Sequence, residues 1–89
     1  MKLYMVHCGF YLAEPGEGAF ENHTNFFIAA ESFKDAKRKV KQLEQFKKFN
    51  MHVDGMVEVE SVDGYTIQLV PDDTAKLKTV SKGYDELNS

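Results

Sequence analysis

The sequence predicts an α+β domain, ββαββ, in which a four-stranded and mainly antiparallel sheet carries one amphipathic helix on one face. Three observations predict it. Residues 2 to 12 and 24 to 31 are apolar runs without helical spacing, a capped segment with a helical apolar stripe starts at Ser32, and two short β-rich runs flank Val62-Asp63-Gly64.

The first run, KLYMVHCGFYL, alternates as a strand does, with Tyr4, Val6, Cys8 and Phe10 on one side and Leu3, Met5 and Tyr11 on the other. The acidic segment AEPGEGAFENH holds Pro15, Gly16 and Gly18 and reads as a long loop. TNFFIAAE is the second strand, with Phe26 and Ile28 on one face and Phe27 and Ala29 on the other.

Ser32 followed by Asp35 resembles a capping box with Asp in place of Glu or Gln. Phe33, Ala36, Val40, Leu43 and Phe46 then fall on one stripe of a helix expected over about 32 to 48, with Lys34, Lys37, Arg38, Lys41 and Lys48 on the other side. Lys47 would point into the apolar stripe of an unbroken helix, which implies snorkelling or fraying there. KKFNMHVDG is a connection. MVEVESV and YTIQLV form a hairpin, for which a three-residue loop over Val62-Asp63-Gly64 pairs Ser61 with Tyr65 and Val59 with Ile67, giving one apolar face; a two-residue loop mixes the faces. A single domain is expected over 1-71, with 72-89 as a tail or arm.

A helix of this length rises about 24–26 Å, close to the span of the preceding strand, so a right-handed crossover starts the second and third strands at one end of the sheet. The favoured strand order is 2-1-3-4. His23 with Glu21, and His52 with Asp54, then meet at a common rim, while Asp63 and Gly64 turn the chain at the other end.

Imidazole and carboxylate are the groups that proton transfer and metal ligation use, so His23, His52, Glu21 and Asp54 are the catalytic candidates and His23, His52 and Asp54 the metal-ligand candidates. The structural alternative makes Asp54-Gly55 a turn and His52 a helix-end cap. HExxH, paired cysteines and a nucleophile elbow are all absent from the sequence, and no cofactor is expected. His7 and Cys8 point to opposite faces of a strand, so at most one of them joins such a site; Cys8 reads as core.

The chain of 89 residues carries a net charge of −3, but residues 33 to 48 hold seven basic and two acidic side chains. Aromatic residues do not interleave those lysines and the remainder is acidic, which argues against nucleic acid and for a solvated face. The single cysteine fits a reducing compartment, hence a cytoplasmic location, and no apolar stretch reaches the 18 or more residues of a membrane span. Lys2 followed by an apolar run interrupted at His7 does not suit a secretory signal.

The opening MKLY, Glu21-Asn22-His23 leading into NFFIAAES, a helix after Ser32, His52-Val53-Asp54 and Val62-Asp63-Gly64-Tyr65 together resemble the bacterial family called domain of unknown function 1543, over roughly residues 1 to 70. The resemblance implies a small bacterial cytoplasmic α+β domain and brings no activity with it. Glu21, His23, His52, Asp54, Asp63, Gly64 and Tyr65 match the family pattern; Thr24 stands where the family often has Asp.

One sheet face lacks a helix to cover it, so the tail with Leu77, Val80 and Tyr84 or a second subunit is expected there. The first functional reading is accordingly a non-enzymatic binding or assembly module acting as a homodimer. The alternative is a small enzyme or a metal- or ligand-binding protein that uses the His/carboxylate cluster.

Overall fold

The computed structural model describes residues 1–12, 20–74 and 81–88. Its elements are β1 (Lys2–Leu12), β2 (Phe20–Ala30), α1 (Phe33–Val40), α2 (Glu44–Lys48), β3 (His52–Glu58), β4 (Ser61–Val62), β5 (Tyr65–Thr66) and α3 (Tyr84–Leu87). The fold is α+β. Strands β2, β1 and β3 form a three-stranded sheet in that order, with β1 antiparallel to both neighbours, so β2 and β3 run parallel on either side of it.

The alternation of β1 decides where the core lies. Tyr4, Val6 and Cys8 are fully buried beneath the helices, together with Ala30, Ala36, Val40, Phe46 and Met51. Burying one such valine contributes about 1.5–3 kcal/mol. Tyr4 keeps its polar end satisfied by donating from its hydroxyl to Glu58 Oε1 at 3.3 Å, and its ring meets Phe33 edge-on at 4.9 Å.

Ser32 caps α1 by accepting from the Asp35 N–H at 3.1 Å, and Asp35 Oδ2 in turn accepts from the Glu31 N–H at 3.0 Å. The short Asp side chain thus returns to the residue before the cap. Arg38 donates to Asp35 Oδ1 from the same helix at 2.6 Å. The bond to the Glu31 N–H, with Arg38 beside it, holds the Asp35 carboxyl below the usual carboxylate range.

The expected single helix over 32 to 48 is divided. Gln42 and Leu43 donate to carbonyls only three residues back, and Leu43 then turns extended, with ψ 138°, to cap α2. The break removes the conflict at Lys47: Phe46 is buried while Lys47 and Lys48 face solvent.

Two strands begin earlier than expected. β2 starts at Phe20, so Glu21 and His23 lie within it, and β3 starts at His52, so the first Val-Asp-Gly is strand rather than connection. A bulge sits there: His7 pairs with Gly55 and Cys8 with Val53, which leaves Asp54 as the extra residue. The bulge shifts the alternation of β3, sending both Val53 and Met56 to the core side.

The fourth strand of the expected sheet is not found among the described residues. Ser61–Val62 and Tyr65–Thr66 instead form a separate two-stranded ribbon. Its register also differs, Ser61 pairing with Thr66 and Val62 with Tyr65 around a two-residue loop. Asp63 (φ 52°) and Gly64 (φ 81°) both take the left-handed conformation that such a loop requires, matching the twist of its strands. Keeping one face apolar does not govern the register here, because Val62 and Tyr65 are exposed.

The open face of the sheet carries Leu3, Met5, Phe27 and Val57 at one end, with Phe27 67% and Val57 52% exposed. Tyr84 and Leu87 of α3 are themselves exposed and do not cover it. Of the expected acidic loop over residues 13 to 23, residues 20 to 23 belong to β2, while residues 13 to 19, and Leu77 and Val80 of the tail, lie outside the described residues. No helix among the described residues is long and apolar enough to cross a membrane.

Candidate functional site

Strand pairing assembles the site. Gly9 in the central strand pairs with His23 on one side and His52 on the other, so all three positions share the open face. Neighbouring strands lie about 4.8 Å apart, which separates the two outer backbones by roughly 10 Å. Two imidazoles can bridge that gap only if nothing rises between them. Gly9 supplies the clearance: a Cβ there would come within 2.5 Å of His52 Nε2, 2.6 Å of Asp54 Oδ2 and 2.7 Å of Glu21 Oε1.

The carboxylates reach the same place by different routes. Glu21 precedes His23 by two positions and so projects on the same face of β2. Asp54 reaches it through the bulge in β3. His52 Nε2 lies 3.1 Å from Glu21 Oε1 and 3.0 Å from Asp54 Oδ1. His23 Nε2 lies 3.3 Å from Glu21 Oε1 and 3.3 Å from Asp54 Oδ2. All four candidates identified in the sequence are therefore brought together, on a surface where each side chain is a third to two-fifths exposed.

Two further members join them, one of which, His7, the sequence allowed as the alternative to Cys8. His7 stacks on His23 with ring centroids 4.9 Å apart and planes 10° from parallel, and its Nδ1 lies 2.7 Å from Asn25 Oδ1. All three histidines of the chain thus belong to one cluster. Gly9 is the other. The signal for both was in the first strand, where His7 and Gly9 share a face and an interior glycine marks a close approach.

Ligand-competent atoms converge in two overlapping sets, Glu21, His52 and Asp54 in one and His7, His23 and Asp54 in the other, with the atoms of each set within 4.8 Å of one another. Such a set can pass protons or hold a divalent cation. Cys8 takes no part: it is buried on the opposite face, and burial pushes its thiol up, which keeps it protonated. Thr24 pairs with Cys8 and shares that opposite side, so an acid at this position is not a direct member of the cluster.

Carboxylate chemistry of another kind occurs at the far end of the sheet. A cleft of about 190 Å³ is lined by Leu3, Glu58, Glu60, Ile67 and Leu69 among others. The hydrogen bond between Glu58 and Glu60 holds Glu58 low, with Lys2 adding to the effect at 3.1 Å, and the same bond holds Glu60 high.

The family model described as Domain of Unknown Function (DUF1543) matches residues 18–69. The chain belongs to this family. The DUF1543 match takes in Glu21, His23, His52 and Asp54 together with the β4–β5 ribbon, and it begins after His7 and Gly9. No curated protein and no solved structure matches the chain.

Proposed function

We propose that this DUF1543 protein is a metal-binding module whose Glu21, His23, His52 and Asp54 side chains hold a divalent first-row transition ion on the open sheet face. One observation carries the reading: the Nε2 atom of each imidazole approaches an oxygen of both carboxylates at 3.0–3.3 Å. Each Nε2 carries one N–H at most and can direct it at one oxygen only, so two such atoms cannot serve four approaches with good geometry. A cation satisfies the oxygens and the ring lone pairs together. Mixed imidazole and carboxylate donors suit zinc, iron or manganese. Stability alone is a weak reason for the arrangement, since exposed ion pairs contribute only about 0–1 kcal/mol each.

Isothermal titration of the full chain with Zn2+ tests this. Binding is expected in the wild type and is expected to weaken at least tenfold in both His52→Ala and Glu21→Gln. Equal heats in the wild type and both variants would remove the cluster from consideration.

The exposed Phe27 and Val57 favour a second reading, compatible with the first, in which two copies pack through the apolar end of the open face and form a homodimer. Sedimentation equilibrium tests it: a dimer in the wild type, and a monomer after Phe27→Glu. A wild type that stays monomeric at high concentration refutes it.

A further inference from the structure

We infer that the cluster takes two divalent metal ions, bridged by Asp54, with Glu21 and His52 completing the protein donors of one ion and His7 and His23 those of the other. The inference rests on the metal-binding reading and sharpens it, because a single ion held by four donors leaves His7 without a part.

Three observations carry it. The oxygens of Asp54 are divided, Oδ1 lying 3.0 Å from His52 Nε2 and Oδ2 lying 3.3 Å from His23 Nε2. A carboxylate that offers one oxygen to each of two neighbouring donor groups is disposed as a bridge. Second, the two convergent sets have Asp54 as their common member. Third, His7 is oriented as a ligand is. At 2.7 Å from Asn25 Oδ1, which only accepts, the Nδ1 of His7 is placed to donate, and in that tautomer the neutral ring offers the lone pair of Nε2 to an ion. Metal-ligating histidines characteristically donate their other ring N–H to such an acceptor. The stack of His7 on His23 then sets two imidazoles side by side, each with a nitrogen near Asp54.

Paired ions in such sites sit about 3.5–4 Å apart. Each ion here has three protein donors, fewer than the four of a closed structural site, which leaves a position on each for water or an oxyanion. Gly9 keeps the floor of the site low, and the open face gives access from solvent.

Equilibrium dialysis of the full chain against Zn2+, with bound metal counted per chain, decides the matter. Two zinc ions are expected in the wild type and one in His7→Gln, with the circular dichroism of the variant unchanged. One zinc in the wild type, or two retained in His7→Gln, overturns the two-ion inference while leaving the metal-binding reading in place. No zinc at all overturns both. Electron paramagnetic resonance of the Mn2+-loaded wild type gives an answer that does not depend on any variant: an exchange-coupled spectrum is expected, and the resolved hyperfine pattern of isolated ions at full loading contradicts the bridge.

Discussion

His23 and His52 both pair with Gly9, one from each side of the central strand, and their Nε2 atoms converge on the same oxygen of Glu21 at 3.3 and 3.1 Å. The glycine is what makes this possible. In Gly9→Ala the atoms nearest the added Cβ are the ends of partly exposed side chains, which can swing away, so stability is expected to stay within about 1 kcal/mol of the wild type. Zinc affinity is expected to fall at least tenfold. Urea denaturation and calorimetry on one preparation check both halves, and unaltered affinity would mean that the close approach at Gly9 does not matter.

Asn25 touches no proposed ion, but its Oδ1 lies 2.7 Å from His7 Nδ1, where it can hold the tautomer and plane of that ring. Asn25→Ala is therefore expected to weaken the second zinc about 10–100-fold and to leave the first unchanged. Stepwise titration resolves the two events; equal weakening of both would assign Asn25 a general structural role.

The core lies between the helices and the three-stranded sheet, and the β4–β5 ribbon stands outside it. Val40→Ala, at a fully buried position, is expected to cost about 2–3 kcal/mol. Val62→Ala, at an exposed one, should change stability by less than about 0.5 kcal/mol. Comparable losses in chemical denaturation would restore the ribbon to the core.

Asp35 gives the fold a defined acid dependence. Its carboxyl titrates below the ordinary value in the folded chain, through the Glu31 N–H first and Arg38 next, so the folded state binds fewer protons there than the unfolded state does. Its contribution is complete above the ordinary carboxylate pKa of about 4 and is lost as pH falls through the lowered folded value. Asp35→Asn is expected to be less stable than the wild type at pH 7, with the gap closing below about pH 4. A gap that is constant across that range contradicts the assignment.

The site was more legible in the sequence than the sheet was. The expected crossover placed Glu21, His23, His52 and Asp54 at a common end, and that placement survives the division of the helix because β2 and β3 both pair antiparallel with β1. The boundaries themselves were harder: FENH at 20 to 23 and HVDG at 52 to 55 do not read as strand, yet pairing with the long β1 holds both segments extended. The bulge at Asp54 has no local signature beyond a Val-Asp-Gly that equally suits a turn. The hairpin register failed for a related reason. It was argued from a buried face, and the ribbon has none, so the intrinsic preference of Asp63-Gly64 for a two-residue loop prevailed. The break after Val40 was not read from the sequence, where Lys47 pointed only to snorkelling or fraying near the helix end.

The central claim is that three imidazoles and two carboxylates on one sheet face form a metal centre, and the histidine ring nitrogens report on it directly. In long-range 15N correlation spectra of the full chain, adding Zn2+ is expected to move the Nε2 resonances of His7, His23 and His52 together, with the Nδ1 of His7 staying protonated against Asn25. Ring-nitrogen signals that stay in place at saturating zinc would contradict the account.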